Sequence, residues 1–135
     1  MNPLVPYVWA SGVVHLIVAA ANVALPTILQ YRANLAKVSP IIRQIFIVHS
    51  AYIVLHLLAL AGLCLFFTPE LAGGSALGRI LSGYLAVFWL ARLFIQLFYY
   101  DPEVKRQHPL ANVGFALAVL YMGGIATMAA LGVGK

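Results

Sequence analysis

Four ionisable side chains stand inside long apolar runs: His15, His49, His56 and Arg92. Such a group is costly at membrane depth and needs a partner, a ligand or a wet cavity. No Asp or Glu lies inside any of these runs. Two neutral imidazoles from different segments, set at one depth, can ligate a b-type haem from both faces. A quinone carbonyl that accepts from a histidine or arginine is a close variant. An arginine without a nearby acid suits a propionate, a carboxylate, a phosphate or a group on another subunit. Histidine can also act as a base, but no triad or metalloprotease pattern accompanies it, so no catalytic residue is assigned.

The elements that position these residues follow from composition. Of 135 residues, 64% are hydrophobic and 8% are charged, against about 25% charged in a soluble domain. So small a soluble fold could not hide that much apolar surface, which makes the bilayer the natural solvent. A helix crosses with about 20 apolar residues, and four segments qualify, at about 4–29, 41–67, 76–100 and 109–133. The expectation is one all-α integral membrane domain over 1–135, four transmembrane helices in an up-down bundle. The first run has no basic residue before it and is longer than a leader's apolar region, so it reads as a retained helix.

Punctuation agrees with these spans. Ser39 and Pro40 fit an N-cap and first helical position. Pro26 is expected to kink or end the first span. The stretch "FTPELAGGSALG" reads as a turn-rich connection, and Asp101–Pro102 and His108–Pro109 close span three and open span four. Small residues in "AAANVA", "ALAG" and "GGIATMAA" would let backbones approach in lipid.

Arg32, Lys37, Arg43, Lys105 and Arg106 fall on two connections that share one side of an up-down bundle, and Arg79 and Lys135 on the other. Counting Lys and Arg places loops 30–42 and 101–108 in the cytoplasm and both termini outside, as in a bacterial inner membrane. Tyr31, Tyr99 and Tyr100 fit the inner aromatic belt, with Tyr7 and Trp9 nearer the outer one. The net charge of +5 serves topology and anionic lipid rather than nucleic acid, since the bases form no single face.

Depth follows from a rise of about 1.5 Å per residue. His15 and His56 both come out about 21–22 Å from the inner surface, near mid-membrane. His49 and Arg92 come out at about 12 Å, with Asn22 close by and Gln96 one turn further in. The reading is a middle layer that pairs His15 with His56 and an inner layer that groups Asn22, His49 and Arg92 with Gln96. Arg92, Gln96 and Tyr99 share one stripe of their helix.

Three functions follow from these layers. In the first, the chain is a small redox subunit with haem b, or a quinone, between helices. His15 and His56 are then the iron ligands, and His49, Arg92, Asn22 and Gln96 serve the propionates. In the second, it is a non-catalytic accessory or assembly subunit whose polar residues join helices, and it meets other membrane subunits or further copies of itself. In the third, Arg92 serves a small-anion or lipid-binding carrier or enzyme; the alternative for Arg92 is that its long stem snorkels to the inner surface. The chain resembles the small four-helix multidrug exporters in size, but they use an intramembrane Glu and this chain has none. Its single cysteine, Cys64, excludes an intrachain disulfide and a CxxC site.

Overall fold

The computed structural model describes residues 2–133. The elements are α1 (Val5–Ile28), α2 (Tyr31–Leu35), α3 (Pro40–Phe66), α4 (Thr68–Ala72), α5 (Ala76–Phe98), α6 (Pro102–Gln107) and α7 (Pro109–Ala130). Helices α1, α3, α5 and α7 are each long and apolar enough to cross a membrane. The fold is an all-α bundle of these four, with no strand among the described residues.

The connections are more helical than expected. The turn-rich segment after span two contains α4, and the other two links contain α2 and α6. Asp101 caps α6 by accepting from the Glu103 amide at 3.0 Å, and Ser75 caps α5 by accepting from the Gly78 amide at 3.0 Å. Ser39 holds the N-cap position of α3 with Pro40 after it, but its hydroxyl makes no capping bond. Pro26 sits inside α1, which ends two residues later at Ile28. It has no N–H to give the Asn22 carbonyl. The chain then turns at Gln30, whose φ of 54° is left-handed. Span four ends at Ala130, and Lys135 lies outside the described residues.

Both described ends of the chain lie at one end of the bundle. Asn2 donates its side-chain amide to the Ala72 carbonyl. The Tyr121 hydroxyl donates to the Tyr7 carbonyl at 3.0 Å, and Arg79 Nε donates to the Ala130 carbonyl at 2.8 Å. We call this the terminal end and the opposite one, with α2 and α6, the loop end.

Packing differs sharply between the two ends. Buried residues of α1 fall at positions 8–19, those of α3 at 57–64 and those of α7 at 119–129. In α5 they fall at 78–89, with Gln96 alone beyond. The core therefore fills the terminal half of the bundle, with α4 packed beside it through Leu71 and Ala72. Small residues explain the closeness. A Cβ on Gly12 would stand 2.7 Å from Leu65 Cγ, and one on Gly123 would stand 2.9 Å from Leu90 Cδ2. In the loop half α3 presents Phe46, Ile47 and Ile53 instead, all exposed. Such side chains can stay on the surface in a membrane, because lipid is as apolar as leucine and burying them offers no drive.

Candidate functional site

Helix α1 carries His15 into the middle of the core, where no part of it is exposed. Both ring nitrogens are engaged. Nδ1 lies 2.7 Å from the Ser11 carbonyl, and Trp89 Nε1 donates to Nε2 at 2.8 Å. The indole N–H can only donate, so Nε2 must accept and the ring proton belongs on Nδ1. The Trp89 ring meets His15 edge-on, with centroids 5.3 Å apart. This is a fully satisfied buried polar pair that ties α5 to α1.

His56 stands on the flank of α3 that faces α5. Its Nε2 lies 2.9 Å from the Tyr84 hydroxyl, and its ring packs edge-on against Phe88 with centroids 5.0 Å apart. Phe88 in turn packs against Trp89 at 4.9 Å. His15 and His56 thus share a depth but not a contact. The Trp89 and Phe88 rings form the path between them, and no hydrogen bond or ring contact joins the two histidines directly.

These residues do not fit a haem ligated from both sides. His15 would have to surrender its Trp89 bond and leave an indole N–H unpaired in the core. The void against His15 is about 10 Å³, lined by Ser11, Cys64, Ser82 and Met122 among others. That is about the room of one water, whereas sites for drug-sized ligands measure about 300–1,000 Å³.

The second layer lies in the loop half, and its grouping differs from the expected one. Arg92 donates from Nη1 to Gln96 Oε1 at 3.2 Å. Its guanidinium carbon lies 4.7 Å from the ring centres of both Tyr100 and Phe115. The arginine therefore extends along α5 toward the loop end, and its aromatic neighbour is Tyr100 rather than Tyr99. Gln96 is buried and donates to Asn112 Oδ1 at 2.7 Å, joining α5 to α7. Lys105 donates to the carbonyls of Gln96 and Leu97 at 3.1 and 3.3 Å, which caps the negative end of α5.

Asn22 and His49 stand apart from this group. Asn22 turns back on its own helix and donates to the Val18 carbonyl at 2.9 Å, as Ser50 does to Phe46. His49 is exposed, and no hydrogen bond, ring contact or ion pair engages it among the described residues. Below it, outside the spans, Tyr31 packs edge-on against Phe46. Its hydroxyl pKa is raised, first by burial and second by the neighbouring Tyr100.

The partners that sequence reading missed are Trp89, Tyr84, Asn112 and Phe115. A depth count restricted to ionisable groups passes over them. Trp89 and Tyr84 lie well inside α5, away from the interfacial belts where such rings usually sit. An indole N–H or a phenol at that depth needs an acceptor as surely as a histidine needs a donor. Asn112 lies three residues into α7 and Gln96 two before the end of α5, which puts them at one level by the same arithmetic.

Among the described residues no group of three or more His, Cys, Asp or Glu is placed to hold a metal ion. Comparison of the chain with protein-family models, with curated proteins and with solved structures finds no match.

Proposed function

We propose that this protein is a non-catalytic membrane subunit that docks its open half against another membrane-embedded chain. The observation that carries the reading is the contrast within its polar residues. His15, His56, Asn22, Arg92 and Gln96 all have partners inside the chain, while His49, exposed about 13 Å along α3 by helical rise, has none among the described residues. An imidazole at that depth is costly until something accepts or donates to it. Phe46 and Ile53, one turn before and after His49 on the same face of α3, are apolar and exposed, as an intersubunit contact in lipid requires. The occupant is a helix of another membrane subunit or a second copy of this chain. The bulk of Lys and Arg at the loop end supports a topology with that end in the cytoplasm and both termini outside, and the reading sets the chain in a membrane of the bacterial inner type.

A photo-crosslinking residue at position 49, with a second at Val87 on the exposed face of α5, tests the reading in intact membranes. Crosslinking at 49 to one discrete partner, and none at 87, is the expected result. A band at twice the chain mass identifies a homo-oligomer, and any other discrete band identifies a different subunit. Lipid adducts alone at position 49 would overturn the proposal.

A further inference from the structure

Arg92 is the permanently charged side chain set deepest in a described span, since Arg43 and Arg79 stand in the first turn of theirs, and no acid among the described residues pairs with it. The loop end has two acids. Asp101 is committed to the Glu103 amide, and Glu103 pairs with Arg106, the only ion pair among the described residues. Arg92 spends one donor on Gln96, and no hydrogen bond engages its Nε or Nη2 among the described residues. Two aromatic rings, Tyr100 just past the end of α5 and Phe115 from α7, stand 4.7 Å from the guanidinium carbon. Such contacts fix a cation without neutralising it. Lys105 approaches the same residue from outside, since its amine sits on the Gln96 carbonyl. Both cations thus engage Gln96, the guanidinium fork at its side-chain oxygen and the lysine point charge at its backbone carbonyl.

We propose that Arg92, with Lys105, is a binding seat for a phosphate group at the loop-end interface. A guanidinium fork with unused N–H groups matches the geometry of two phosphate oxygens, and a lysine beside it adds charge without demanding direction. The depth fits. Arg92 lies six residues before the end of α5, about 9 Å by helical rise. Its stem runs on toward Tyr100, which brings the charge to headgroup level. The phosphate comes from an anionic phospholipid or from a free phosphate anion. This inference is independent of the docking surface on α3.

The test uses the whole chain, purified in a neutral detergent and stripped of lipid. Affinity is read by native mass spectrometry and by thermal midpoint against phosphatidylglycerol, inorganic phosphate and oleate. Wild type should retain one phosphatidylglycerol, and Arg92→Gln should weaken that binding about tenfold, the loss of one charge-assisted hydrogen bond. Arg92→Lys should fall between the two, and Lys105→Gln, outside the span, should lower affinity by a smaller factor. Protection by inorganic phosphate without phosphatidylglycerol binding would assign the seat to a free anion. Equal phosphatidylglycerol affinity in wild type, Arg92→Gln and Lys105→Gln would overturn the proposal, and so would oleate binding as tightly as phosphatidylglycerol.

Discussion

His15 and His49 are the same side chain in similarly apolar helices, and the molecule treats them in opposite ways. His15 stands in the terminal half, enclosed, with both nitrogens bonded. His49 stands in the loop half, exposed and unbonded. The difference is set by the residues around them rather than by the histidines. Gly12, Ala61, Cys64, Gly123 and Ala126 let four helices close around His15. Around His49, Phe46, Ile47 and Ile53 of α3 are exposed instead of packed. One half of the bundle is therefore a finished core, and the other is a surface with polar groups at depth.

The largest effect should come from filling the finished half. In Gly12→Leu the first added carbon alone would meet Leu65 Cγ at 2.7 Å. Overpacking a close core costs about 1–3 kcal/mol and occasionally more, and here the whole α1–α3 contact must shift. Gly114→Leu is the matched change in the open half, where nothing lies within 4 Å of the added carbon. Unfolding free energies measured by titrating a denaturing detergent into a mild one should fall by at least about 3 kcal/mol for Gly12→Leu and stay level for Gly114→Leu. Equal losses at both sites would abolish the contrast between the halves.

Next in size is the bond that closes the middle of the core. Trp89→Phe keeps a ring against His15 but leaves Nε2 without its donor. An unsatisfied buried acceptor costs about 1–3 kcal/mol. His15→Leu strands the indole N–H in the same way, and the double variant should recover part of the loss, because both polar groups then leave together. The same proteins test haem ligation. Purified chain supplied with haem should show no reduced α and β bands that depend on His15. Bands lost in His15→Leu but kept in Trp89→Phe would mean that the indole yields its place to iron.

Much of the terminal half was legible in the sequence, and the reason is physical. Span limits follow from charges and prolines, which act locally, so 4–29, 41–67 and 76–100 lie within two residues of α1, α3 and α5. Depth follows from helical rise, so the shared level of His15 and His56 survives. Rotation between helices is different, because it depends on packing that no single segment encodes. The expected His15–His56 pair gave way to Trp89 and Phe88, which occupy the space between them. The expected group of Asn22, His49 and Arg92 failed for a related reason. A polar side chain in lipid has its own helix as a partner one turn back, and Asn22 takes it. Arg92 reaches two turns toward Tyr100 instead of across to α3.

A smaller effect measures how firmly the loop half is held at all. Gln96 and Asn112 form a half-buried hydrogen bond between its long helices, at 2.7 Å. Replacing each with Leu, singly and together, gives a coupling energy for that bond. Interhelical hydrogen bonds in membranes average about 0.6 kcal/mol, and the value expected here is of that order, below the one at His15–Trp89. A larger coupling than the core pair would mean that the open half is the better-held one.

The smallest effect on the isolated chain belongs to His49→Leu, and it is the most telling for the comparison. His49 bonds nothing among the described residues, so its removal strands no donor or acceptor there. Leu is also the better residue against lipid, and isolated-chain stability should hold or rise slightly. Any loss should appear only in association, as less partner recovered from mild detergent at an unchanged unfolding free energy. The opposite pattern, a destabilised monomer with its partner retained, would mean that α3 closes on the bundle in the membrane and that the two halves are packed alike. Trp89→Phe supplies the control, since it should weaken the fold of the terminal half and leave the α3 surface as it was.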